Sequence, residues 1–183
     1  MKIILALISL SLCAGSPGKG HSIVASAEAN PYFSAFAMDT CPICSTFKCE
    51  ECTVPLGQQV AVRNTRVWSK ILLRFNIPAG PISKCLLQLQ PVANQPQLST
   101  NTIVDIHLTL PFNPANVTWN SAPKSQNLIT NFDIKSPHPI DLTPHCLSSR
   151  NLFLAISKND VIGPEIISFH SSISSHPPTL IIS

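Results

Sequence analysis

Residues 104–110 read V-D-I-H-L-T-L, an alternation of apolar and polar side chains. Because successive side chains of a strand point to opposite faces, this run predicts a β-strand with one buried face and one exposed face. The chain contains 17 prolines, which exclude long helices because each removes a backbone donor. Similar short runs, separated by proline-rich turns, occur at 59–63, 70–77, 85–90, 152–156, 166–169 and 179–182. The sequence therefore predicts an all-β fold, an antiparallel jelly-roll β-sandwich.

The first residues have the composition of an export leader. Lys2 is followed by an apolar run from Ile3 to Cys13 and then by small residues. A run of about 11 residues is shorter than the ~20 that a membrane helix needs, so it predicts a secretory signal peptide over residues 1–18. An uncleaved membrane anchor is the alternative. We expect the mature protein to be secreted and extracellular, with no membrane partner.

Export changes the expected state of the cysteines. One of the seven lies in the leader, and an even number in an oxidising compartment predicts disulfides. Four form a C-x2-C-x4-C-x2-C cluster, for which zinc binding is an alternative that the close spacing disfavours. We expect residues 19–53 to form an N-terminal extension with this Cys-rich clip, and neither a metal nor a cofactor. The predicted disulfide cysteines of the clip are Cys41, Cys44, Cys49 and Cys52, and the sequence does not decide how they pair. Cys85 is expected to pair with Cys146.

Several motifs resemble a family of carbohydrate-binding modules. The strand-like opening VPLGQQVAVR (54–63) is followed by LLRFNIP (72–78), similar to the family's LLRFDL..LP motif. TWNSAP (118–123) is similar to its TWNNAP signature, and PTLII (178–182) to its final strand. Residues 54–183 thus resemble carbohydrate-binding module family 96, the DNRLRE-domain proteins. The resemblance implies a jelly-roll module over 54–183 and alginate-type binding, although residues 64–69 form a shorter segment than the family has there.

Basic side chains and one tryptophan form the candidate ligand site. No acidic residue occurs between Cys52 and Asp105, whereas several arginines and lysines do. Guanidinium groups bind carboxylates through paired hydrogen bonds, so such a face suits an acidic polysaccharide. An ordinary solvated strand face is the alternative. We expect Trp119 to be a packing residue, with a ligand platform as its alternative. Trp68 is the candidate to stack on sugar, and packing at the rim of the fold is its alternative. The predicted carbohydrate-binding residues are Arg63, Arg66, Trp68, Lys70 and Arg74.

Other motifs point to glycosylation but not to catalysis. Asn116-Val117-Thr118 is an acceptor sequence that predicts N-glycosylation of Asn116. Asp105 and His107 share a strand face, but no nucleophile elbow accompanies them, and the six histidines lack metal-ligand spacing. We therefore expect no catalytic residues and no enzyme activity.

These observations lead to two functional hypotheses. The first is a secreted, non-catalytic module whose partner is a polysaccharide, either an acidic one of the alginate type or a cell-wall glycan. The second is a structural or interaction protein of a cell wall, an extracellular matrix or a spore surface. A formal net charge of +3 gives no reason to expect nucleic acid as a partner. The oligomeric state stays open.

Overall fold

The computed structural model describes residues 20–34, 59–64, 67–93, 95, 102–115, 117–118, 121–158 and 166–183. No helix in these ranges is long and apolar enough to span a membrane. The one helix among the described elements is a single turn, α1 (Thr143–Cys146). The strands are β1 (His21–Val24), β2 (Ala27–Ala29), β3 (Tyr32–Ser34), β4 (Gln59–Asn64), β5 (Val67–Ser69), β6 (Ile71–Asn76), β7 (Cys85–Gln88), β8 (Ile103–Thr109), β9 (Ser125–Asp133), β10 (Ile140–Asp141), β11 (Asn151–Ser157), β12 (Ile166–His170) and β13 (Thr179–Ile182).

The strands form two layers of antiparallel sheet. One layer is a five-stranded sheet in the order β2-β6-β11-β8-β9. The opposite layer contains two four-stranded sheets, ordered β1-β13-β7-β10 and β12-β4-β5-β3. These two sheets meet beyond β7, where Val92 N donates to Ser168 O and His170 N donates to Gln90 O, both at 3.0 Å. The predicted fold class is confirmed as an antiparallel all-β sandwich.

The main hydrophobic core lies between the two layers. β6 contributes Ile71, Leu73 and Phe75, the apolar face that its alternation predicted, and Ile77 continues it. Burying one large apolar side chain stabilises the fold by about 1.5–3 kcal/mol. Both layers contribute such side chains to the core. The largest core side chains without measurable exposure are Phe75, Phe132, Leu73, Leu87, Ile106, Leu142, Leu154, Ile167 and Leu180.

Residues 21–34 belong to the sandwich, which corrects the expected domain boundary at residue 54. β1 pairs with β13, β2 with β6 and β3 with β5, so the segment supplies three strands. The sequence pattern did not reveal β2, because three residues are too few to establish an alternation. Ala-Glu-Ala also has a carboxylate at a position that is buried, where an alternating pattern predicts exposure. The expected signal peptide and the cysteines of the clip lie outside the described residues.

The predicted disulfide between Cys85 and Cys146 is present. It joins the first residue of β7 to the last residue of α1, across a sequence separation of 61 residues. Hydrogen bonds support the same junction: Leu142 N donates to Cys85 O at 2.8 Å, and Cys85 N donates to Thr143 Oγ1 at 2.9 Å. The crosslink therefore anchors α1 and the segment before it to the four-stranded sheet that contains β7.

Candidate functional site

The candidate site lies on the side of the five-stranded sheet that turns away from the main core. We call this side the outer face. It carries the side chains that alternate with the core residues of β6, β11 and β8: Leu72, Arg74, Phe153, Ala155, Asp105 and His107. The sequence predicted an exposed, polar face here. Leu72 and Ala155 are instead completely buried, because another part of the chain covers them.

The covering segment is the connection between β8 and β9, residues 110–124, which we call the covering loop. Its Val117 is 4% exposed and packs with Leu72 and Ala155 in a small second apolar cluster. Thr109, predicted to face solvent, is buried, and its Oγ1 donates to Lys124 O at 3.2 Å. Leu110 was predicted to face the core, but β8 ends before it and its side chain is exposed.

Two side chains of the family-like TWNSAP motif hold the covering loop in shape. Thr118 N donates to Ser121 Oγ at 2.8 Å, and Ser121 N donates to Thr118 Oγ1 at 3.3 Å. Such reciprocal side-chain-to-backbone bonds close a tight turn. Val117 turns inward, while Asn116, the predicted glycosylation site, and Trp119 lie outside the described residues. The described residues of the motif therefore stabilise the covering loop.

Lys70 connects this loop to the sheet. Its Nζ donates to the carbonyl oxygen of Pro123 at 2.9 Å. Burial lowers the pKa of Lys70 from its ordinary value, since removal from water disfavours the charged ammonium. Lys70 was predicted to be a ligand-binding residue on an exposed strand face. In the structure it is partly buried, and it fastens the end of the covering loop.

Arg74 occupies a more accessible place on the outer face. Its Nε donates to Ser26 Oγ at 3.2 Å, and Ser26 N donates to Arg74 O at 2.8 Å. Ser26 thus holds one side of the guanidinium and leaves the terminal amino groups outside this contact. Among the described side chains no carboxylate forms an ion pair with Arg74, so its charge is available to an external anion.

An aromatic side chain stands directly beside this guanidinium. Phe153 of β11 is paired with Arg74 of β6, and direct cross-strand neighbours have Cβ atoms about 5 Å apart. The ring of Phe153 meets that of Phe112 edge to face, with centroids 5.9 Å apart. Phe112 in turn lines an open groove of about 440 Å³ along the covering loop. The sequence analysis did not select Phe153, although its position between the core residues Leu152 and Leu154 predicts that it faces away from the core.

The other predicted ligand-binding residues are only partly described. Arg63 and Trp68 lie in β4 and β5, where Arg63 pairs with Ser69 and Trp68 with Asn64. These strands belong to the opposite layer from Arg74, although Lys70 alone separates β5 from β6. The side chains of Arg63 and Trp68, and the whole of Arg66, lie outside the described part of the structure. The structure thus brings Lys70 and Arg74 to one face and supplies Phe153 beside them.

Asp105 and His107 have different hydrogen-bond partners. Asp105 Oδ1 accepts a hydrogen bond from Asn131 Nδ2 at 2.6 Å. The Nδ1 of His107 lies 3.3 Å from the carbonyl oxygen of Gln126, to which it must donate. Nε2 of His107 is buried and has no hydrogen-bond partner. The two residues share the outer face, as predicted, but each forms its hydrogen bond with a residue of β9.

Searches for related proteins leave the family resemblance untested. No protein-family model matches the chain, and no curated protein matches it. In the described part of the chain, no group of three or more His, Cys, Asp or Glu side chains has the geometry of a metal site.

Proposed function

We propose that this protein is a secreted, non-catalytic module that binds an acidic, uronate-containing polysaccharide on the outer face. The observation that supports this most directly is the pairing of Arg74 with Phe153 beside an open groove of about 440 Å³. A cation next to an aromatic ring matches the two chemical features of a uronate, a carboxylate and an apolar ring face. The segment that carries Arg63, Arg66 and Trp68 continues directly into β6 through Lys70, so these residues remain further candidates.

The guanidinium and the ring would act on different parts of one sugar. Arg74 would bind the carboxylate with its terminal amino groups, and hydrogen bonds to charged groups contribute about 1.5–3 kcal/mol each. Phe153 would pack against the C–H groups of the pyranose ring. Ser26 and Phe112 hold these two side chains before any ligand binds, which reduces the entropy lost on binding.

The proposed setting follows from the leader and the cysteines. An exported protein meets extracellular polysaccharides, and its disulfides withstand that compartment. Catalysis is not part of the proposal, because glycoside hydrolysis needs two carboxyl groups about 5–10 Å apart in a cleft. Neither the residues lining the groove beside Phe112 nor its described neighbours on β6 and β11 include an acidic side chain.

Binding of the oxidised protein to alginate, pectate and a neutral β-glucan tests the proposal. We expect salt-sensitive binding to the two acidic polymers. The variant Arg74→Gln should bind them about tenfold or more weakly, because it lacks one charge-assisted hydrogen bond. The matched control is Arg150→Gln, since Arg150 is an exposed arginine next to β11. Equal affinity of the wild type and Arg74→Gln for alginate would overturn the proposal.

A structural or interaction protein of a cell wall, matrix or spore surface is the second candidate. The engagement of Lys70 favours it, because a predicted ligand-binding cation is used to fasten the covering loop. In this case the folded protein would bind none of the polymers in the panel. Affinity purification of its partners from intact cell walls would then be the informative experiment.

A further inference from the structure

A second polar cleft lies in the layer opposite the outer face. Its floor is formed by Gln88 at the end of β7, by Gln90 two residues later, and by Thr179 of β13, which pairs directly with Gln88. Two histidines that each precede a proline, His138 and His176, line the same cleft. Its volume is about 330 Å³, at the lower end of the ~300–1,000 Å³ typical of ligand sites.

The glutamines present their amides to solvent because of strand alternation. Leu87 and Leu89 point into the main core and are almost completely buried, so Gln88 and Gln90 point away from it. Both are exposed, and in the described structure neither side-chain amide forms an internal hydrogen bond. Each amide offers a donor and an acceptor, the combination that adjacent sugar hydroxyls require. The hydroxyl of Thr179 donates to Pro177 O at 2.9 Å, which leaves its oxygen as an acceptor.

The two imidazole rings are held in place at the edge of the cleft. His138 packs against the buried Phe132, with ring centroids 5.9 Å apart, and its Nδ1 donates to Ser136 O at 3.0 Å. His176 packs against His170 with centroids 5.2 Å apart. Because Nδ1 of His138 is used by Ser136 O, Nε2 is the ring nitrogen that remains for a ligand hydroxyl group.

A neighbouring groove of about 280 Å³ adjoins the cleft, since both are lined by Gln90 and Pro137. We call the two adjoining depressions the track. No acidic side chain lines either part, and the single cation, Lys135, lies in the neighbouring groove. Proline-rich peptides dock into grooves lined by aromatic side chains, and no phenylalanine, tyrosine or tryptophan lines this track.

We propose that the track from Gln88 and Thr179 to Gln90 is a second binding site that takes a neutral oligosaccharide. The amides and the threonine oxygen bind hydroxyl groups, and the fixed imidazoles border one sugar ring. This site is separate from the Arg74 face, since it lies in the other layer and recognises uncharged sugar. The protein would then connect an acidic and a neutral polymer.

Nuclear magnetic resonance of the wild-type protein tests the second site directly. The probes are cellohexaose, laminarihexaose and mannohexaose, titrated to about 10 mM to detect dissociation constants in the millimolar range. We expect at least one of them to shift the side-chain amide signals of Gln88 and Gln90 and the ring signals of His138. If no neutral hexaose shifts these signals, the proposal is wrong, whether or not alginate binds at Arg74.

Paired variants add a second measurement. Gln90→Ala keeps the backbone carbonyl that accepts from His170 N, so it removes the amide without removing a sheet contact. Loss of one or two neutral hydrogen bonds corresponds to about three- to tenfold weaker binding of the responding hexaose. Gln126→Ala, at an exposed glutamine of β9, should leave the affinity unchanged. An equal affinity of Gln90→Ala and wild type would overturn the assignment of the track.

Discussion

Glu28 shows how one side chain can be buried at a cost to the fold. It lies in β2, is 2% exposed and accepts a hydrogen bond from Ser172 N at 2.6 Å through Oε2. Its other oxygen, Oε1, is buried and has no hydrogen-bond partner. Burial raises the pKa of Glu28, an effect larger than the opposite effect of the bond from Ser172. The ionised form is therefore less favourable in the folded state than in the unfolded chain.

The variant Glu28→Gln should remove a pH-dependent loss of stability. Because the folded-state pKa of Glu28 is raised above its ordinary 4.5, its contribution to stability is fully present below that pH and is lost as the pH rises through the folded value. The amide stays neutral and can still turn its oxygen toward Ser172 N. Urea unfolding between acidic and neutral pH should show a flatter profile for the variant.

Asp141→Asn serves as the control with the opposite sign. Hydrogen bonds from Thr143 lower the pKa of Asp141, so its contribution is present above the ordinary pKa and is lost as the pH falls. The two variants should therefore change the pH profile in opposite directions. Identical profiles for wild type and Glu28→Gln would contradict the role assigned to the buried carboxyl.

The covering loop is the element that changes the character of the outer face. A regular hairpin between β8 and β9 would leave Leu72 exposed to water. The described residues of this loop instead fold back over the sheet, and Leu72 and Ala155 are buried beneath Val117. The loop is fastened at its end by Lys70 and closed by the turn between Thr118 and Ser121. The groove beside Phe112 exists because this loop is ordered in that position.

Ser121→Ala should loosen the covering loop more than it destabilises the sandwich. The substitution removes the acceptor for Thr118 N, a contact worth about 1 kcal/mol. Hydrogen exchange at the Thr118 amide should accelerate about fivefold, while exchange in β6 and β11 stays close to that of the wild type. The matched variant is Ser125→Ala, at an exposed serine where β9 begins. Unchanged exchange at Thr118 would refute the role of this turn.

The whole molecule combines two packed layers with a covalent link near one end. The opposite layer is divided into two sheets that share only short contacts beyond β7. The disulfide between Cys85 and Cys146 ties β7 to α1 across 61 residues, and both cysteines are buried. A crosslink that closes so long a loop restricts the unfolded chain, which raises the relative stability of the folded state.

Replacement of both cysteines by alanine should lower the free energy of unfolding by about 4 kcal/mol, the loop-closure value for a loop of this length. Alanine leaves no thiol at either position. Urea unfolding under non-reducing conditions measures the change. The variant in a reducing buffer controls for the clip cysteines, because any further loss there must come from Cys41, Cys44, Cys49 or Cys52. An unchanged unfolding midpoint would contradict the expected stabilisation.

Local patterns predicted much of the sandwich. The alternation in residues 71–77 and 104–108 identified core faces that the structure confirms, because alternation depends only on the geometry of a strand. The pairing of Cys85 with Cys146 was also predicted. β2 escaped prediction, since it has only three residues and its charged Glu28 is buried.

The sequence by itself determined the all-β class, the inward faces of β6 and β8 and the disulfide between distant cysteines. Only the tertiary structure decided which polar faces reach solvent. Lys70 and His107 alternate correctly with core residues, yet Lys70 is partly buried at the covering loop and His107 is buried beside β9. Phe153 came next to Arg74, and Gln88 next to Thr179, through pairing between strands far apart in the chain. Candidate sites built from such pairs depend on register, and register is a property of the assembled sheets.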